Sequence, residues 1–264
     1  MTGIPRPSVT RLIGTLVKLG HLRPAAEPER WELAAGTVRL AQAFLGAIDI
    51  RSFARPHIVK LAEEVGASAF VGVRDGTEML VVEASRARSA VVFMGADIGT
   101  RMSLGTSALG RAWLAGVDGA TRAAVQSQLI GAAQLSRAQA ASMKRAVSSA
   151  RAAGYALSLG EWHPNINAIA VPIQTPGGEV MSINCGSPTF VLPAERLTAV
   201  VLPRILATAQ AIARDIGGIA GAQLTNADGT GVHFAEMADP SAATRTKAPA
   251  TKRRSPSQST TTAE

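Results

Sequence analysis

The stretch Ala69-Phe70-Val71-Gly72-Val73-Arg74-Asp75-Gly76-Thr77-Glu78-Met79-Leu80-Val81-Val82 sets two apolar, β-prone runs on either side of Asp75-Gly76. An Asp-Gly pair between such runs marks a hairpin, because the tight turn needs positive φ at its centre and these residues accept it. An antiparallel strand pair is therefore expected in the first half of the chain. Upstream lies a helical pattern over roughly 53–65, and downstream Ala90-Val91-Val92-Phe93-Met94 is a third strand candidate. Two helices follow, at about 106–115 and 136–153. The second opens with Ser136 and Gln139, a capping-box spacing, and stops at Gly154. Strands return at Ala168–Gln174 and Val180–Cys185, joined by Pro176-Gly177-Gly178. A last helix runs from about Ala194 to Ile216, and Pro203 must kink or divide it, since proline removes a donor and clashes with the preceding turn. Helices flanking an antiparallel sheet make this an α+β chain.

The front of the chain reads differently. Val9, Leu12, Ile13, Leu16 and Leu19 recur at helical spacing, Ser8, Arg11, Thr15 and Lys18 share the opposite face, and Gly20 is placed to end the helix. His21-Leu22-Arg23 and Arg30-Trp31-Glu32-Leu33 are two strand-like pieces around a Pro/Ala/Glu turn, so a β-hairpin follows the helix. Residues 37–50 form a connecting helix through Val38, Leu40, Ala41, Phe44, Leu45 and Ile48. Beyond 218 the composition is rich in Ala, Gly, Ser, Thr and Pro without periodicity, which predicts disorder.

Composition bounds the function classes. The 264 residues are 47% hydrophobic, enough for one or two cored domains, and carry a formal net charge of +8. The excess sits at the ends. Residues 1–24 hold Arg6, Arg11, Lys18 and Arg23 with no acid; residues 240–264 hold five basic residues against Glu264; the segment between is balanced. A basic head on a neutral body points to a polyanion partner. No apolar run approaches the ~18 residues of a membrane span, and no signal-peptide pattern opens the chain, so no membrane partner is expected. A lone Cys185 rules out an internal disulfide and fits a reducing cytoplasm. Four scattered histidines predict neither a metal site nor a cofactor.

Arg6-Pro7-Ser8-Val9-Thr10-Arg11 places base- and phosphate-bonding side chains in the first turns of a helix, the part that meets base edges in a major groove. Arg23 and Arg30 on the hairpin are available to phosphates. The plainer alternative is an ordinary amphipathic surface helix. Catalysis has one candidate pair, Cys185 as thiol nucleophile with His163 as base, against the reading of Cys185 as a small buried hydrophobe. Glu63 and Glu64 do not share a helix face, no nucleophile elbow occurs, and the glycines of 217–221 lack a phosphate-loop lysine. No catalytic residue and no enzyme is expected.

Gly3-Ile4-Pro5-Arg6-Pro7-Ser8-Val9-Thr10-Arg11-Leu12, then Thr15-Leu16, Leu19-Gly20-His21-Leu22 and Trp31-Glu32-Leu33, resembles the winged helix-turn-helix of IclR-type (isocitrate lyase regulator) transcription factors. The resemblance continues through Gly99–Ala115 and Glu161–Pro172 and covers about residues 1–217. Trp31 and Ala34 stand where the family has Tyr and Gly, Ser103 replaces a Pro, and Asn165 replaces a Gly. The family has two further helices before the recognition helix. Their absence leads to the expectation that the start at Met1 is internal, or the chain N-terminally truncated, with weak or absent specific DNA binding in the second case.

The resemblance implies a partial winged helix-turn-helix over 1–36, a linker and dimerisation helix over 37–50, a GAF-like effector-binding domain with a curved antiparallel sheet over 51–218, and a basic tail over 219–264. DNA contacts fall to Arg6, Pro7, Ser8, Thr10, Arg11, Thr15 and Arg23. Leu40, Phe44 and Ile48 are assigned to the dimer contact. Met102, Leu104 and Ile166 are placed as the apolar wall of an effector site, with Ser103, Ser107, Asn167, Asn184, Cys185 and Ser187 beside them. The implied partners are a double-stranded DNA operator, a small organic acid or aromatic effector, and a second copy as homodimer or dimer of dimers. An effector module without specific DNA binding, or a Cys-dependent hydrolase, are the alternatives.

Overall fold

The computed structural model describes residues 3–46, 50–89, 95–132 and 134–225. Ile48, the strand candidate at 90–94 and most of the expected basic tail lie outside the described residues. Helix α1 (Arg6–Lys18) leads into the strand pair β1 (Leu22–Pro24) and β2 (Trp31–Leu33), then α2 (Gly36–Gly46) and α3 (Ile50–Val65). The hairpin β3 (Ser68–Asp75) and β4 (Glu78–Arg86) turns at Gly76, whose φ is +64°. Then come β5 (Arg101–Ser103), α4 (Ala108–Gly116), α5 (Gly119–Gly131), α6 (Arg137–Ala153), β6 (Ala156–Leu159), β7 (Ile166–Gln174) and β8 (Val180–Pro188). A short α7 (Ala194–Arg196) and a π-helical stretch (Leu197–Val201) precede α8 (Leu202–Ile216), and β9 (Ile219–Ala220) and α9 (Ala222–Thr225) follow.

Among the described residues, seven strands form one antiparallel sheet in the order β5-β4-β3-β8-β7-β6, with β9 also on β7. Alternation along the strands divides the core in two. On one face Ala69, Val71, Ile169, Val171, Ile173, Met181, Ile183 and Cys185 pack against α3 and α8 through Ile58, Leu61, Ile205 and Ile212. On the other, Phe70, Met79 and Met102 pack under α4, α5 and α6 through Leu109, Trp113, Leu129 and Met143. An alanine layer, Ala108, Ala112 and Ala115 against Ala168 and Ala170, lets α4 lie close to β7. Gly110 brings α4 closer still: a Cβ there would lie 2.3 Å from the Leu104 Cα.

Several elements depart from the sequence expectation. The three-residue β5 and four-residue β6 are too short to show alternation, and α5 carries only Val125 and Leu129 inward. Chain order continues past 218: β9 and α9 run to Thr225 and bury Ala220 and Leu224. The last helix is not divided: it runs on through a π turn, Leu197–Val201, just before Pro203, so the expected effect of the proline appears as a local change of period. Contrary to the expectation that no stretch reaches spanning length, Ala194–Ile216 is long and apolar enough to cross a membrane by length and composition. In the fold its stripe of Leu197, Val201, Ile205, Ala209 and Ile212 is buried in the core.

One polar cluster ties the α4 side together. Arg111 is 1% exposed, and its guanidinium donates to the Gly105 carbonyl (3.0 Å), the Leu157 carbonyl (3.0 Å) and both carboxylate oxygens of Glu161, one at 2.8 Å. Ser142 on α6 donates to the same carboxylate at 2.6 Å. Arg111 and Ser142 hold the Glu161 carboxyl below its ordinary value of 4.5, against the opposing effect of burial.

A carboxyl with a lowered folded value stabilises above its unfolded value, and that contribution disappears as pH falls through the folded value. Glu161→Gln is expected to cost roughly 1–2 kcal/mol at neutral pH, allowing for the part-exposed carboxylate. The wild-type advantage in thermal midpoint is expected to shrink as the buffer is taken from pH 6 down to pH 3; a gap independent of pH would rule out the ionic contribution. Burial pushes the Cys185 thiol up to about 12. Under native conditions at pH 8 it is expected to resist a disulfide reagent that titrates it fully in guanidinium.

Candidate functional site

Where α4 begins, its first turn faces β7 and β8 across a small cavity. Met102, Ser107, Ala108, Ser158, Trp162, Ile166, Ala168 and Asn184 line it, and the open volume is about 10 Å³, room for about one water molecule. Each wall has a local cause. Ser107 caps α4: its hydroxyl accepts from the Gly110 N–H at 3.0 Å and donates to the Ser103 carbonyl at 2.6 Å. Ser158 on β6 donates to the Thr106 carbonyl at 2.8 Å and accepts from the Trp162 N–H at 3.3 Å. Asn184 on β8 is 2% exposed, and its Oδ1 has no hydrogen-bond partner. By helix geometry the first-turn N–H groups of Ala108 and Leu109 have no intrahelical acceptor, and they carry the positive end of the helix dipole.

Of the nine residues expected at an effector site, the structure brings Met102, Ser107, Ile166 and Asn184 together. Three others lie across the sheet, because neighbouring residues on a strand face opposite ways. Cys185 is in the α3/α8 core, Asn167 spends its amide on the Leu192 carbonyl at 3.0 Å, and Ser187 pairs in register with Asn167. The expectation for these three is corrected accordingly. Leu104 is fully buried among Leu109 and Trp113 in the core. Ser103 turns its hydroxyl onto the Gly105 and Thr106 amides at 3.3 Å and shapes the loop rather than the cavity.

The sequence reading passed over Ala108, Ser158, Trp162 and Ala168. Strand parity from Ile166 and Asn184 would have selected Ala168, whereas Ser158 sits on a strand too short to show a period. The Cys185–His163 pair is not assembled: the thiol is enclosed by apolar side chains while His163 lies on the exposed β6–β7 loop. Among the described residues no group of His, Cys, Asp or Glu is arranged to hold a metal. A wider groove of about 960 Å³ between Phe44, Phe53 and Trp113 includes none of the expected effector residues.

The basic head forms the expected helix and wing. Arg6, Pro7, Thr10, Arg11 and Thr15 are exposed and Ser8 is half-buried. Thr10 and Thr15 donate their hydroxyl protons to the carbonyls of Arg6 and Arg11, leaving only lone pairs for a ligand. Arg23 is paired with Glu32 across the wing at 2.6 Å, so a phosphate must compete with that carboxylate. Leu12, Leu16 and Leu19 remain exposed on α1, as do Leu40 and Phe44 on α2.

With this geometry in view, the chain can be set beside known proteins. Residues 42–216 match the family model of the bacterial transcriptional regulator IclR C-terminal domain. The HTH-type transcriptional regulator TsaQ1/TsaQ2 of Comamonas testosteroni is 33% identical over 115 residues, and that match spans 43% of this chain and 41% of the relative's length. The crystal structure of an IclR family transcriptional regulator from Brucella abortus has a TM-score of 0.74 at 32% identity, covering 81% of this chain and 82% of that one. An IclR homolog from Microbacterium hydrocarbonoxydans, solved in complex with 4-hydroxybenzoate, shares the fold with a TM-score of 0.64 at 22% identity, over 81% of this chain and 87% of that one. The chain belongs to the IclR family of bacterial transcriptional regulators.

Proposed function

We propose that this regulator binds a double-stranded DNA operator through α1 and the β1–β2 wing, and that a small organic acid, aromatic acids included, changes that affinity by occupying the cavity at the start of α4. The observation that carries this reading is the buried, unpartnered Oδ1 of Asn184, a residue that lines the cavity. A buried polar atom without a partner costs free energy that a hydrogen-bonding ligand recovers. The ligand class follows from what else is there. Among the described residues no cationic side chain lines the cavity, so an acid is held by the α4 N-terminus, whose open amides and dipole favour a carboxylate. Asn184 then accepts from a ligand hydroxyl or protonated oxygen, and Met102, Ile166 and Trp162 cover the carbon skeleton.

The division of labour is 1–36 for DNA, 37–50 as linker, 51–225 as sensor, since β9 and α9 close on the sheet, and the remaining residues as tail, acting in the cytoplasm without a cofactor. The exposed Leu40 and Phe44 pair α2 with a second copy, in a dimer or dimer of dimers. A second reading, sensing without sequence-specific DNA binding, is favoured by the exposure of Leu12, Leu16 and Leu19, since a recognition helix needs its apolar side supported.

Two measurements test these statements. Saturating carboxylic acids, 4-hydroxybenzoate among them, are screened by thermal shift. A binder at 100 times its Kd adds about 2.7 kcal/mol, and Asn184→Leu is expected to abolish the shift; an undiminished shift removes Asn184 from the site. For DNA, Arg11→Ala is expected to lower affinity for a selected operator roughly 10- to 100-fold while leaving the fold intact. If the parent chain selects no operator sequence, the second reading stands.

A further inference from the structure

We infer that Trp162 determines which ligands the cavity admits, and that the Arg111–Glu161–Ser142 cluster is the tie that holds Trp162 in place. The inference rests on the cavity being the ligand site and concerns how that site opens. An open volume of about 10 Å³ accepts a water, whereas any carboxylic acid has at least three heavy atoms, so one wall must yield. Three walls are fixed. Strands β7 and β8 are hydrogen-bonded to neighbours on both sides. The α4 terminus is pressed on the Leu104 backbone at Gly110. Ala108 and Ala168 have no side-chain rotamers to change.

Met102 is 2% exposed in the core, so its rotation has little free space to enter. That leaves Trp162, on the six-residue loop 160–165 between β6 and β7. Its indole is half-buried against the α4-side core.

The loop is short and held at several points. Gly160 takes positive φ at its start, and the Ile166 N–H closes on the His163 carbonyl at 2.9 Å at its end. Between them Glu161, next to Trp162, is clamped by Arg111 and Ser142. Arg111 cannot follow an outward movement, because two of its donors are fixed on the Gly105 and Leu157 carbonyls. Opening therefore proceeds by turning the indole out while Glu161 stays, or by releasing Glu161. A flat ring requires the full displacement and a short aliphatic acid only part of it, so Trp162 biases the site toward short acids.

The test uses the full chain with acetate, butyrate, benzoate and 4-hydroxybenzoate as probes, titrated calorimetrically against wild type, Trp162→Phe and Trp162→Ala. The ratio of 4-hydroxybenzoate to butyrate affinity is expected to rise at least tenfold in Trp162→Ala, with Trp162→Phe between. An unchanged ranking overturns the specificity role. The tie is read without ligand. Amide hydrogen exchange over 160–165 is expected to accelerate at least tenfold in Glu161→Gln while β3 and β8 keep wild-type protection; an unaltered loop overturns it. If no acid binds any of the proteins, the cavity reading fails and with it the specificity role, whereas the exchange measurement still decides the tie. Trp162→Phe retains an aromatic ring and keeps the comparison valid if the alanine variant does not fold.

Discussion

A guanidinium almost wholly out of water is the constraint on which the α4 side of this protein depends. Arg111 is 1% exposed, and a buried cation is tolerable only when its charge is paired and its donors are filled. The fold meets that need from three directions: the β5–α4 loop through Gly105, strand β6 through Leu157 and the β6–β7 loop through Glu161. Each partner lies far from Arg111 in sequence or in a different element, so the guanidinium sets their mutual spacing. Because Arg111 is the fourth residue of α4, the start of that helix is held in the same frame. The alanine layer and Gly110 then allow the helix to sit against β7 and Leu104 without clashes.

The same pairing shapes the electrostatics of the cavity. Arg111 sits on the helix that lines it, yet Glu161 cancels its charge, and among the described residues no other cation or anion lines the space. What remains is a neutral enclosure with one oriented helix terminus and one unpartnered amide oxygen. Backbone amides hold an anion over a short range and in a fixed direction, whereas a lysine or arginine attracts any anion from solution. Selectivity in the proposed site then rests on shape and hydrogen-bond geometry, which is the ground for the role inferred for Trp162.

How much of this was legible in the sequence depended on period and punctuation. Asp75-Gly76 located the β3–β4 hairpin, and Ser136, Gln139 and Gly154 located α6, because those residues encode turn and cap chemistry directly. Strand β5 and strand β6 carry too few residues for a period, and their positions are fixed by pairing with β4 and β7. At the candidate site, the chain segments were legible but their facing was not. Asn184 and Cys185 are neighbours, and choosing both placed one of them on the wrong side of the sheet. Just before β1, the His21 Nδ1 is buried without a partner beside Gly36; nothing in the sequence alone signalled that orphan atom.

The two ends of the molecule's chemistry are therefore unlike in kind. The head carries its basic residues on exposed positions, so the attraction to DNA proposed for it acts through solvent and weakens as added salt lowers the entropy gained by releasing counterions. The described residues that line the cavity are uncharged, so salt screening has little to act on there. Coupling between them requires that the ligand bind one arrangement of the protein better than another. On the proposed site, with space for one water, such a difference would arise from a displaced Trp162, the free energy of binding being divided between contact with the ligand and loosening of the loop that Arg111 holds. The strength of any regulation is then limited by how much of that loosening is felt beyond the loop, and the two places where Glu161 is held, α4 and α6, are the routes by which it can be felt.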